Sequence, residues 1–475
     1  MPEKNIPQFL YRMRSCQKLL DAPFCELQNQ ELYFSRLDKL NDPYEGFLDV
    51  YWEGDFILWK NFLRRYLLSL YKLSILYPFL DANHEFTCED IDVYGTESDF
   101  PNENIKSSFY KIAEAFFKDE RINAFLNCLS ITKRKMHEKD IKIFLSIIHP
   151  IAFESIYKES DSDDKKQTYL YFSNLTKDIP IQNLFERLTE NPQEIEEKTL
   201  SILMDISFSM HEQLFLLRLY NCDDIKKDIR ISFITTRFPN EFINKLITLT
   251  VPEAFVCSFM THIDNPALWG YYADGHKGAC LIFKCADSNG KTGISLNAKT
   301  TGSSDNIFSF IKFNKVVYTR KAISVNFFKF INTLPLDVLY ENWYKDGENF
   351  TSYLNDFGIN KDINMWRKEL WRMMESRAVH KLPEWRKENE YRLVMNDFLR
   401  WDSDKEGIAT KYNFESLDGI VFGYKMQTKD KLAIMKLIEK KCKENNRHTF
   451  NFYQAEYSFA TNSMEIRKLD FLNIE

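Results

Sequence analysis

The sequence lacks the pairings that announce a metal centre or a disulfide framework. Its nine cysteines (16, 25, 88, 128, 222, 257, 280, 285 and 442) contain no Cys-x-x-Cys pair. Neither a zinc cluster nor a disulfide-stapled domain follows from them, and reduced thiols in a cytosol fit best. No His-x-x-x-His spacing supports a metal, and no P-loop or G-x-G-x-x-G follows a strand-like run, which argues against a Walker-type nucleotide site. Neither sign of charge dominates. With 69 acidic against 63 basic residues and a net charge of -6, nothing draws the whole chain to a polyanion, so a nucleic-acid acceptor would need a local patch. An uncharged apolar run of membrane-spanning length is also missing. The most hydrophobic stretch, Phe62 to Leu80, carries Arg64, Arg65 and Lys72, which are costly at a bilayer centre, and it reads as a buried amphipathic helix with no membrane role. The polar start, Met1 to Gln8, lacks the apolar core of a secretory signal, so a cytoplasmic protein is expected.

What is present is ample core material: 44% hydrophobic residues with 40 Phe and 24 Tyr in 475 residues. That length exceeds one compact core and favours two units or one domain with a large insertion. Strand-like runs open the chain at Gln8 to Arg14 and Glu31 to Ser35, followed by a turn at Asn41-Asp42-Pro43. Between about Tyr51 and Thr250 apolar residues recur three and four apart, as in Ile105-Phe109-Ile112-Phe116 and Leu200-Leu203-Ile206-Met210, predicting a set of helices interrupted by a polar loop at Glu159 to Gln167. Strand character returns at Ala254 to Phe259, Gly278 to Phe283, Phe313 to Tyr318, Glu390 to Met395, Gly419 to Gly423 and Thr449 to Tyr453. Helices are expected around Trp366 to Val379 and over the basic Lys429 to Lys443. The reading is an α+β chain in three segments: residues 1–50 and 251–475 build a small mixed or antiparallel sheet core, and 51–250 form an all-helical insertion.

Several of these segments resemble a family. Phe9-Leu10-Tyr11-Arg12, Leu32-Tyr33-Phe34-Ser35 and Asn41-Asp42-Pro43-Tyr44-Glu45-Gly46 come first. Val256-Cys257-Ser258-Phe259, the stretch from Asn265 to Phe283, Val316-Val317-Tyr318 and Trp385-Arg386-Lys387-Glu388-Asn389-Glu390-Tyr391-Arg392 follow. In order and spacing they are similar to the DUF-2971 group, bacterial domains of unknown function. The quoted residues cover about a tenth of the chain. The sequence departs from the pattern at Gly270-Tyr271, where relatives often carry Ser-His, and the insertion is longer than the resemblance accounts for.

The order of these motifs looks like that of ADP-ribosyltransferases, which cleave NAD at the nicotinamide–ribose bond. That likeness implies Arg12 or Arg14 on the NAD pyrophosphate, Ser35 and Tyr44 at the nicotinamide, and Glu390 at the ribose. The residue types suit the chemistry. Departure of nicotinamide leaves an oxocarbenium-like ribose that a fixed carboxylate stabilises, a guanidinium fork matches phosphate oxygens, and a tyrosine stacks on a flat ring. Glu388, two residues before Glu390, would share its strand face and act as general base, and His276 in the Asp274-to-Gly278 turn would serve as a further base or as a substrate contact. Such bacterial enzymes often act as toxins or abortive-infection effectors against phage.

Structural roles stay open for each residue. Glu388 and Glu390 would serve equally in cross-strand ion pairs, Arg12 as a partner of Asp42 or Glu45, and His276 as a turn cap. Trp269, Tyr271 and Tyr272 would serve as core. The matching alternative at the level of function is a non-enzymatic module that binds a protein partner through the helical insertion.

Overall fold

The computed structural model describes residues 7–158 and 233–470 apart from short gaps (43, 82–83, 133–134, 251, 298–307, 348–349, 359–362 and 398–405), with isolated positions between 159 and 232. The loop expected at Glu159 to Gln167, the helical stretch Leu200 to Met210, Cys222 and Pro43 lie outside the described residues. The chain divides into two compact units. The first holds residues 1–47, 252–322 and 372–475, and the second holds 48–251 together with 323–371.

The first unit is built on one large mixed sheet. Its main strands are β1 (Phe9–Arg14), β2 (Glu31–Arg36), β3 (Glu253–Met260), β4 (Ala279–Lys284), β5 (Lys291–Asn297), β6 (Glu390–Asp397), β7 (Gly407–Tyr412), β8 (Leu417–Phe422), β9 (Asn451–Ser458) and β10 (Ser463–Lys468). The order runs β10-β9-β8-β4-β1-β3-β2-β7-β5, with β6 on the free edge of β3. All these pairings are antiparallel except β8 with β9. The strands follow from alternating apolar residues rich in Phe, Val, Ile and Tyr, which suit a pleated surface. In β3 the alternation sends Phe255, Cys257 and Phe259 into the main core with Leu10, Leu32, Phe34 and Leu393. Ala254, Val256, Ser258 and Met260 are left on the other face.

One edge of β3 is shared between two strands. Met260 pairs with Tyr11 of β1, while Val256 and Phe255 pair with Ser35 and Arg36 of β2. The sheet therefore forks, and the buried Arg12 side chain bridges the fork: Nη1 donates to the Ser258 carbonyl at 3.1 Å and Nη2 to the Tyr33 carbonyl at 2.9 Å. Two otherwise open carbonyls are satisfied in this way.

The turn that leads into β4 leaves no room for a side chain at Gly278. Gly278 donates to the Ala273 carbonyl at 2.8 Å and accepts from the Gly423 amide at 3.0 Å. A Cβ on Gly278 would land on the Arg14 carbonyl. Gly278→Ala is thus expected to destabilise the protein by roughly 2–4 kcal/mol, read as a lower urea midpoint at an unchanged slope; an unchanged midpoint would refute the steric account.

The second unit centres on the helix Phe56–Leu76, which is buried along most of its length. Trp59 meets Phe62 and Phe328 edge-on, and Tyr66 meets Phe238 and Phe242 in the same way. Such aromatic pairs contribute about 0.5–1.5 kcal/mol each beyond area burial. The unit is not all-helical. Leu48–Trp52 pairs in parallel with Ile323–Asn326 and antiparallel with Met136–His137, forming a three-stranded sheet. The parallel partner arrives from residues 323–371, so the unit takes chain from both sides of the first unit's β3. Among the described residues no helix is long and apolar enough to cross a membrane.

Candidate functional site

The face of the sheet opposite the main core carries a buried cluster of charges assembled from four separate segments. Glu390 and Arg392 alternate with core residues along β6 and so point the same way. Lys381 lies in the two-residue strand His380–Lys381, which pairs in parallel with Val317–Tyr318 and places Lys381 opposite Tyr318. Glu388 closes the 3₁₀ turn Pro383–Glu388. Glu45 comes from the loop after β2, shaped by Asp42, whose Oδ1 accepts from the Tyr44 amide at 2.9 Å. The other carboxylate oxygen of Asp42 accepts from the Leu382 amide at 3.1 Å, which ties this loop to the residue beside Lys381.

Within the cluster every strong donor has a partner. The three Lys381 N–H groups reach three carboxylates, Glu388 at 2.6 Å, Glu390 at 3.1 Å and Glu45 at 3.2 Å. Arg392 holds Glu390 through Nε at 2.7 Å and Nη2 at 3.1 Å, bonds the Ala378 carbonyl at 2.9 Å, and pairs with Glu45. No charged side chain of the five is more than 5% exposed. Three carboxylates face two cations, so one negative charge has no counterpart inside the cluster.

Aromatic groups border it. Tyr272 donates to Glu388 Oε1 at 2.6 Å, and the Tyr318 hydroxyl accepts from the Glu390 amide at 2.9 Å. Lys381 stands 5.0 Å from the Trp385 ring centre, and Trp385 meets Tyr271, which is 71% exposed, edge-on.

The two neighbouring glutamates diverge in proton affinity. Burial alone would raise Glu390, but Arg392 and Lys381 outweigh it and bring its carboxyl down to about 2. Burial raises Glu388, against Lys381, and the Glu390 charge raises it further. Glu45 is also raised by burial, against Arg392 and Lys381. Desolvation and opposed ion pairs thus keep Glu390 ionised and make Glu388 the carboxylate nearer to accepting a proton.

The residues expected from sequence distribute as follows. Glu388 and Glu390 converge through Lys381, but not along one strand: Asn389, at φ 48°, turns the chain between the 3₁₀ turn and β6. Ser35 lies on the same sheet face as Glu390, half-buried. Arg12 and Arg14 point to the opposite face by strand alternation. Arg12 bridges the fork and Arg14 pairs with Glu26 at 2.7 Å, so neither bonds Asp42, Glu45 or Glu390. Tyr44 stacks on Phe47 with centroids 6.0 Å apart, and its buried hydroxyl finds no partner among the described residues.

His276 sits at φ 72° in the turn before β4, where its carbonyl accepts from the Lys425 amide at 2.9 Å. Burial and then Lys425 lower its pKa, its Nδ1 is buried without a partner, and no hydrogen bond joins it to the glutamates among the described residues. Trp269 is core, its Nε1 donating to the Ile263 carbonyl at 2.7 Å, whereas Tyr272 belongs to the cluster.

Sequence reasoning passed over Lys381, Glu45 and Arg392 as site residues. For the last two a signal existed, since both fall inside the quoted segments Asn41–Gly46 and Trp385–Arg392. Among the described residues no group of His, Cys, Asp and Glu is arranged to hold a metal ion.

No protein-family model matches this chain, and no curated protein and no solved structure matches it either. The described geometry defines an α+β chain of two units, the first carrying a buried Glu–Lys–Arg centre under an aromatic border.

Proposed function

We propose that the first unit is an NAD-cleaving enzyme of ADP-ribosyltransferase or NAD-glycohydrolase type, with the Glu388–Glu390 pair as its chemical centre. The observation that carries this reading is the surplus carboxylate of the cluster, set beside Tyr272, Tyr318 and Trp385. A locus with one unmatched negative charge and flat aromatic groups complements a cationic nicotinamide ring and the oxocarbenium-like ribose that follows its departure. The resemblance of the quoted segments to DUF-2971 and to the transferase motif order supports it, since two of those segments supply every charged residue of the cluster except Lys381 and two more supply Tyr272 and Tyr318.

On this reading the C1′–N bond of NAD breaks and its electron pair leaves with nicotinamide. An acceptor oxygen, from water or a macromolecule, then bonds to C1′ while its proton passes to Glu388. Glu390, held ionised by Arg392 and Lys381, supplies the fixed negative charge. Arg12 is given no pyrophosphate role here, because both its terminal nitrogens serve the Ser258 and Tyr33 carbonyls on the opposite face of the sheet.

The test is nicotinamide release from NAD by purified protein with cell lysate, comparing wild type with Glu388→Gln. The amide oxygen still accepts from Lys381 while its nitrogen donates to the Tyr272 hydroxyl oxygen, and loss of the base is expected to cost 10²–10⁴-fold in rate. Transfer of labelled ADP-ribose to protein or nucleic acid would identify the acceptor class. If wild type releases no nicotinamide, or Glu388→Gln releases it as fast, the reading fails. The engagement of every Lys381 and Arg392 nitrogen, by a carboxylate or by the Ala378 carbonyl, would then favour the second reading, a structural charge centre in a partner-binding module.

A further inference from the structure

The sheet face that carries Glu390 extends well past it. The register aligns Glu390 with Met260, Met260 with Tyr11, Tyr11 with Ile282, Ile282 with Gly419 and Gly419 with Asn451, one residue each from β6, β3, β1, β4, β8 and β9. With neighbouring strands about 4.8 Å apart, Tyr11 stands roughly 10 Å and Gly419 roughly 19 Å from Glu390 along this row. The helix Pro266–Tyr272 covers one side of the row. Its Leu268 and Trp269 share a buried cluster with Met13, Cys280, Ile282 and Val421, and Phe9, Tyr11, Tyr272 and Tyr453 are left as partly buried rings at the margin. Tyr272 ends this aromatic margin at Glu388.

The Tyr453 ring leans over Gly419, where a Cβ would come within 3.1 Å of it and within 2.8 Å of the Asn451 carbonyl. The glycine thus lets the ring lie down against the sheet, and the ring stays partly exposed, as Tyr11 does. Neither hydroxyl bonds another group among the described residues. Burial raises the pKa of both phenols and the Asp418 charge raises them further, so that carboxylate stands near the two rings. Its own side-chain partner among the described residues is the Asn451 amide, at 3.3 Å, which leaves acceptor capacity unused. Lys284, opposite Phe9 in the register, is exposed and has no carboxylate partner among the described residues.

We propose that this margin is the subsite for the adenosine end of the substrate, with the adenine ring stacked on Tyr453 and Tyr11 and the Asp418 carboxylate accepting from the ribose hydroxyls. The inference rests on NAD being the substrate cleaved at Glu388 and Glu390, and the row supplies a separation that the two rings of an extended dinucleotide span. Flat phenol rings suit a purine, a carboxylate suits a ribose diol, and Lys284 is the cation available to a phosphate. The charge limits the choice of ligand. Asp418 and Asp470 both act on Tyr453, so a neutral nucleoside end fits there and a polyanion such as nucleic acid is repelled.

The test titrates adenosine alone into the full wild-type chain by calorimetry, so that it does not depend on turnover, and saturable heat is expected. Tyr453→Ala should raise the dissociation constant by about 5- to 150-fold, the loss of one stacked base, whereas Tyr453→Phe, which keeps the ring, should bind within about twofold of wild type. Asp418→Asn should weaken adenosine about tenfold and leave 2′,3′-dideoxyadenosine unchanged, and it serves alone if the alanine variant does not fold. In the Glu388→Gln protein, where NAD is bound and not turned over, adenosine should compete with NAD. No saturable heat from adenosine, or equal binding by the folded variants, overturns the subsite even if NAD is cleaved. Adenosine that binds without displacing bound NAD overturns its assignment to this substrate. Adenosine bound as expected by a protein that neither binds nor cleaves NAD upholds the nucleoside site and overturns the cleavage reading instead.

Discussion

Arg392→Met is expected to destabilise the protein by about 3–5 kcal/mol at pH 7, the cost of breaking a buried ion pair from one side. The substitution preserves length and most of the packing but leaves Glu45, Glu388 and Glu390 to share Lys381 alone. The pH dependence separates this from a packing defect. In wild type the folded-state pKa of Glu390 is depressed to about 2, so its contribution is fully present above the ordinary carboxyl pKa near 4.5 and is lost as pH falls through about 2. Without Arg392 the same carboxyl becomes one that burial and its neighbours raise. Its cost to the folded state is then absent at low pH and grows as pH rises through the raised value. The stability gap between wild type and variant should therefore narrow as pH is lowered from 7 to 5, measured by urea midpoints at each pH. A gap that stays constant would mean that Arg392 acts by packing and not by charge.

Much of the first unit was legible because its strands are written locally. The runs at Gln8 to Arg14, Glu31 to Ser35, Ala254 to Phe259 and Gly278 to Phe283 correspond to β1 to β4, and Glu390 to Met395 to β6. The expected Lys429 to Lys443 helix is Thr428–Glu444. The direction of Arg12 was not legible. Both faces of β1 are apolar, Leu10 on one and Tyr11 with Met13 on the other, so period-two alternation could not say which face holds the site. The size of the sheet and the return of residues 323–371 to the second unit depend on pairings between distant segments, which periodicity does not encode. Lys381 was missed for the same reason. It meets Glu45 across more than three hundred residues, and its own two-residue strand carries no periodic signal.

Tyr272→Phe offers the sharpest test of how the glutamate pair would work. The Tyr272 hydroxyl donates to Glu388 Oε1 at 2.6 Å, and a hydrogen bond to the charged form favours it, which holds the Glu388 pKa below where burial and Glu390 would otherwise put it. If Glu388 is the base in NAD cleavage, kcat/KM rises with pH as that carboxyl ionises. Removing the hydroxyl should then move this acid limb upward by about one to two pH units, the equivalent of losing one hydrogen bond to a charged group. The plateau at high pH should change much less, because the base is then ionised in both proteins. Glu388→Gln should lack the limb altogether and run at a uniformly low rate. A merely structural tyrosine would lower the rate at every pH without moving the limb. An unshifted limb in a Tyr272→Phe protein of native stability would therefore remove Glu388 from the proton transfer, even if NAD were cleaved.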